Sequence, residues 1–132
     1  MEKLNIKNVE ILPYAVGDVV KNCGVGIDDY FYKKFGYAAH NAQLVQNKNG
    51  KEEIKRVDSF NFDNVGFIKI DVEGYELNVL KGAIETIKRC KPLLFIETIK
   101  TNSNDLENFL SKLNYFVVER YEKDILYKYN KA

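Results

Sequence analysis

The sequence predicts an α/β domain in which parallel strands are joined through helices, closed by an antiparallel hairpin. Three observations predict it. Two short apolar runs, Gly66-Phe67-Ile68-Lys69-Ile70 and Leu93-Leu94-Phe95-Ile96, are rich in β-branched and aromatic residues, as buried strands are. Between them Leu77, Leu80, Ile84 and Ile87 recur at helical spacing. Near the C-terminus, Tyr115 to Glu119 and Ile125 to Tyr127 read as two strands around the turn Glu122-Lys123-Asp124.

The central stretch is a β-α-β unit with a right-handed crossover. Its helix reads as one element. Glu73 and Glu76 stand where a helix N-terminus favours negative charge, Lys88 and Arg89 where a C-terminus favours positive charge, and Pro92 ends it. Gly74 suits a tight turn into the helix, and Gly82 suits close packing on the sheet. In open α/β sheets, ligands bind at the carboxyl ends of the strands. Asp71 and Glu97 end the two strands and Glu73 lies on the turn between strand and helix. If the strands are neighbours they lie about 4.8 Å apart, so the three acids share one small region. They then need a cation, a proton or hydrogen-bond donors to offset their repulsion.

Upstream, Val9 to Leu12 reads as a strand that ends at Pro13, with Tyr14 to Asp18 as its exit and turn. Cys23-Gly24-Val25-Gly26 contains G-x-G, but Asp29 stands where a dinucleotide fingerprint needs a small residue. A flexible glycine turn is the better reading. Tyr30, Phe31, Tyr32, Phe35 and Tyr37 cluster beside Lys33 and Lys34. They suit either the edge of a core or a surface for a sugar ring. His40 is the only histidine, and nothing in the sequence pairs with it. Asn47 to Lys51 is a turn signal between strands. Ile54 and Val57 lead an extended segment toward Phe60 and Phe62. Downstream, Thr101 to Asp105 has capping chemistry, Leu106, Phe109, Leu110 and Leu113 predict a helix over about 105–113, and Asn114 stops it.

The string Ile68-Lys69-Ile70-Asp71-Val72-Glu73-Gly74-Tyr75-Glu76, then Val79-Leu80-Lys81-Gly82-Ala83, then Pro92 and Ile96-Glu97, closely resembles the FkbM family of S-adenosylmethionine-dependent methyltransferases. Val9 to Asp18 and Val57 to Phe60 extend the match to the family's third strand and to the segment before its acidic strand. The resemblance implies a Rossmann-like class I methyltransferase fold, truncated at the N-terminus. The family's first strand, glycine-rich turn and second strand have no counterpart here. Residues 1–132 then form a single partial methyltransferase domain. The implied reaction is methyl transfer from S-adenosylmethionine, with a hydroxyl of a sugar or other small molecule as acceptor. Asp71, Glu73 and Glu97 are the catalytic candidates, with Asp71 first. Ala15, Val16 and Asp71 are the cofactor-binding candidates, although a plain strand exit explains Ala15 and Val16 equally well. An N-cap or a first-turn charge is the bland account of the acids, and of Glu76 above all. Mg²⁺ is the weaker reading of the acid group, and no metal ligand is assigned. The competing class is an inactive remnant that serves as a binding or subunit-interaction module.

Composition sets the outer bounds. Twenty basic and nineteen acidic residues give a net charge of +1, which offers no electrostatic argument for nucleic acid or a membrane surface. No run approaches the roughly 20 apolar residues of a membrane span, and no signal-peptide core opens the chain. Cys23 and Cys90 lack metal-type spacing and read as free thiols of a cytoplasmic protein. The expected partners are a small-molecule or glycan substrate, and either a second copy of the chain or a second chain that supplies the missing strands.

Overall fold

A computed structural model describes residues 6–27, 42–45 and 52–131, with the side chains of 21–27, 42–45 and 52 excepted. The aromatic cluster from Tyr30 to Tyr37, His40 and the turn signal at 47–51 lie outside the described residues. The strands form two four-stranded sheets. The first contains β1 (Ala15–Val16), β2 (Lys21–Ile27), β3 (Ala42–Val45) and β4 (Glu52–Lys55), in the order β1-β4-β2-β3. The second contains β5 (Phe67–Ile70), β6 (Leu93–Glu97), β7 (Tyr115–Arg120) and β8 (Asp124–Tyr129), in the order β5-β6-β8-β7. Three α-helices accompany the second sheet: α1 (Glu76–Lys81), α2 (Ile84–Cys90) and α3 (Ser103–Ser111).

The second sheet follows the pattern of its sequence. β5 and β6 pair in parallel, with Ile68 opposite Leu94 and Ile70 opposite Ile96. β8 is antiparallel to both β6 and β7, so the terminal hairpin inserts its last strand beside β6. Alternate residues divide the sheet into two faces. Ile70, Leu94, Ile96, Tyr115, Ile125 and Tyr127 are buried on one face, in the same core as Val79 and Leu80 of α1, Ile87 of α2, and Leu106 and Leu110 of α3. All three helices thus cover that one face. The opposite face carries Phe67, Leu93 and Phe116, all exposed. Asn102 caps α3, its side-chain oxygen accepting from the N–H groups of Asn104 (2.9 Å) and Asp105 (3.2 Å). The helix begins two residues earlier than its apolar spacing predicts. Asn114 ends the following turn with a left-handed φ of 64°.

Four expectations need correction. Val9 to Leu12 is not a strand. Val9, Ile11 and Leu12 are exposed, and pairing begins only at Ala15 and Val16, opposite Ile54 and Lys55. Cys23 to Gly26 is not a turn. It lies within β2, which is paired on one side with β4 and on the other with β3, and two ladders override weak local propensity. Val57 to Phe60 is a 3₁₀ turn rather than extended chain. Finally, the predicted single helix is two, broken at Gly82 and Ala83.

The break has a local cause. A side-chain carbon on Gly82 would collide with the carbonyl oxygen of Gly17, so the turn after β1 sits directly on the helix backbone. The Gly82 carbonyl accepts from Asp58 N–H (2.9 Å) instead of continuing the helical ladder. The Asp58 carboxylate then caps α2. Its oxygens accept from Glu85 N–H (3.1 Å), Thr86 N–H (2.9 Å) and the Thr86 hydroxyl (2.8 Å). Gly82 is therefore a contact point with the turn after β1 and with Arg56, rather than with the second sheet.

Candidate functional site

The two parallel strands deliver their terminal acids to one place. Asp71 directly follows β5, Glu97 ends β6, and Glu73 lies on the turn into α1. One carboxylate oxygen from each of Asp71, Glu73 and Glu97 lies within 4.8 Å of the others. Asp71 is exposed, and Glu73 and Glu97 are half-buried. The turn reaches this arrangement through left-handed backbone at two successive residues, Glu73 (φ 54°) and Gly74 (φ 102°). Glycine adopts that conformation freely, whereas for Glu73 it costs energy that its surroundings must offset.

The electrostatics follow from the crowding. Glu97 is pushed up from the ordinary carboxylate value of 4.5 to about 7. A hydrogen bond with Asp71 is the largest cause, followed by partial burial and then by the negative charges of Asp71, Glu73 and Asp124. Asp124 joins the group because β8 places it opposite Glu97. Glu97 thus holds its proton toward neutral pH, hydrogen-bonded to Asp71. The cation beside this group is Lys100, whose Nζ lies 2.9 Å from Glu73 Oε2. Lys69 and Lys81 are exposed and form no ion pair among the described residues.

Glu76 is the residue that sequence reasoning most underrated. It is only 2% exposed. Its Oε1 accepts from Val72 N–H (3.1 Å) and Gly74 N–H (3.3 Å), and its Oε2 accepts from the Thr101 hydroxyl. It is therefore a buried brace under the acid-bearing turn, not a solvated first-turn charge. A glutamate six residues after the end of a strand can reach back to that strand's exit, and this spacing is the one signal that could have found it. Lys100 and Asp124 carry no such signal, because Lys100 comes close through the parallel β5–β6 pairing and Asp124 through the β6–β8 pairing.

Ala15 and Val16 occupy β1, in the first sheet, while the acids occupy the second. The turn that follows them is nevertheless close to the acid turn. A side-chain carbon on Gly17 would lie 2.9 Å from the Tyr75 ring, and the Asn78 amide of α1 donates to Asp18 (3.4 Å). At the far end of the second sheet, a cavity of about 150 Å³ is lined by Ile87, Lys88, Lys91, Lys112 and Tyr129, among others. Its lysines adjoin the C-termini of α2 and α3, where cations offset the partial negative charge of a helix end. That accounts for them without a ligand.

Comparison with known proteins points one way. The family model described as the methyltransferase FkbM domain matches residues 2–117. No curated protein matches the chain. A crystal structure described as methyltransferase FkbM from Methylobacillus flagellatus KT resembles the fold, with a TM-score of 0.57 and 23% sequence identity. The likeness covers 88% of this chain and 27% of that one.

Proposed function

The chain belongs to the methyltransferase FkbM domain family, and from that premise we propose that it forms the acid-bearing part of an S-adenosylmethionine-dependent methyltransferase. The proposed acceptor is a hydroxyl of a sugar or another small molecule. The observation that carries this reading is the Asp71–Glu97 pair at the ends of two parallel strands, with Glu97 pushed up to about 7. A base of that strength is half-ionised at neutral pH, which suits removal of a proton from a hydroxyl.

The residues present fit the cofactor in charge. Its sulfonium and ammonium groups are cationic, and the carboxylates of Asp71, Glu73 and Glu97 converge at one point. When bound, the cofactor supplies a methyl group on positively charged sulfur. The rest falls to this chain. Glu97 accepts the hydroxyl proton, Asp71 holds Glu97 by hydrogen bond, and Glu73, fixed by Lys100, orients the acceptor. Ala15 and Val16 contact the cofactor in this proposal, supported by the approach of the following turn to Tyr75. The same three oxygens have the chemistry that Mg²⁺ favours, but the proposed proton transfer needs no metal. No helix among the described residues is long and apolar enough to cross a membrane. The free thiol of Cys90 suits a reducing compartment such as the cytoplasm.

The test is calorimetric titration of the 132-residue chain with S-adenosylmethionine and S-adenosylhomocysteine, followed by transfer assays on sugar hydroxyls. Micromolar binding that Asp71→Ala abolishes is the expected result. A folded chain that binds neither compound would sink the claim that this polypeptide methylates by itself.

A further inference from the structure

We propose that Glu76 and Thr101 form a latch that sets the distance between Asp71 and Glu97, so that both are positioning residues for the acid pair. The inference builds on the reading of that pair as the working site.

The geometry is specific. Val72, whose N–H is bound by Glu76, directly follows Asp71, and Gly74, bound by the same oxygen, directly follows Glu73. One carboxylate oxygen therefore grips the backbone just beyond each of the two acids. The other oxygen accepts from Thr101, four residues beyond Glu97 on the loop that leaves β6. Glu76 thus joins the loop carrying Asp71 and Glu73 to the loop carrying Glu97. A second link runs parallel to it, from Lys100 to Glu73 (2.9 Å). The loops are also in close backbone contact, since a side-chain carbon on Gly74 would lie 3.4 Å from the Lys100 carbonyl oxygen.

Burial makes this more than a helix-end charge. Removing a carboxylate from water is costly unless donors replace the lost hydration. Glu76 receives three donors, two of them backbone N–H groups of the left-handed turn. Those donors stabilise both the buried charge and the strained turn at Glu73. Glu97 itself faces Asp71, Glu73 and Asp124, with Lys100 beyond Glu73. Neither Glu76 nor Thr101 is among the groups that shift its titration. Their effect on Glu97 must act through spacing.

The experiment is an NMR titration of the Glu97 side-chain carboxyl in the full 132-residue chain, with thermal melting of each variant alongside. The variants are Thr101→Val, Thr101→Ser and Glu76→Gln. Releasing the latch loosens the Asp71 hydrogen bond, the largest cause of the raised Glu97 titration. Thr101→Val should therefore lower the proton affinity of Glu97 by about tenfold, one pH unit, while Thr101→Ser retains the wild-type midpoint. Glu76→Gln, which keeps the shape and one acceptor oxygen, should shift Glu97 in the same direction. A folded Thr101→Val or Glu76→Gln chain that melts lower but titrates Glu97 as wild type does would overturn the proposal, leaving the latch with a merely structural role. A wild-type Glu97 midpoint in the ordinary carboxylate range would overturn it as well. Cofactor binding does not enter the readout, so a latch that fails in the variants leaves the methyltransferase reading standing, whereas an ordinary wild-type Glu97 midpoint removes the base on which both rest.

Discussion

Glu97 keeps its proton in the folded chain to about pH 7, whereas in the unfolded chain it loses it near 4.5. Between those values the folded state binds more protons than the unfolded state, so this group's contribution to stability is full below 4.5 and is lost as pH rises through 7. Urea unfolding should show wild-type stability falling across that window, with a smaller fall for Glu97→Gln. Equal slopes would mean that Glu97 does not hold its proton toward neutral pH. Asp71 and Glu97 were legible in the sequence because an acid that ends an apolar strand marks the sheet's ligand end whatever the rest of the fold does. Glu76 was not, because a glutamate in a first helical turn has the same local sequence whether it faces water or reaches under the preceding loop. What decides is Thr101, 25 residues away, and no periodicity registers it.

At the scale of elements, the apolar spacing identified the helical faces correctly, since Leu80 and Ile87 are both buried. The break between α1 and α2 escaped that reading because Gly82 and Ala83 preserve the spacing while Asp58 takes the hydrogen bonds at the junction. The same blindness explains β2, where Cys23 to Gly26 is a strand only because β3 and β4 flank it. Asp58 is the decisive residue at this scale. Asp58→Ala removes the acceptor for the Glu85 and Thr86 N–H groups and should cost about 1 kcal/mol, in the range of other helix caps. Urea midpoints at constant slope would measure it, with Ser59→Ala, an exposed neighbour, as the control. A loss no greater than the control's would show that the cap is not needed.

For the whole molecule, the helices among the described residues all pack on one face of the second sheet. Parallel strands are normally covered on both, yet Phe67 on the open face is 55% exposed, with Leu93 and Phe116 beside it. An exposed apolar face of this kind favours self-association. Light scattering of the isolated chain should show mass rising with concentration, and Phe67→Lys with Phe116→Lys should suppress the rise. A monomer at high concentration would argue that the sheet protects itself. The two caps, finally, bear on the order of events when the chain folds. α3 carries its own cap in the adjacent Asn102, so its first turn can close within a few residues of itself. α2 borrows Asp58 from 27 positions earlier in the chain, so it cannot be completed until a long loop has closed and its entropy has been spent. One helix is a local event, and the other waits for the fold.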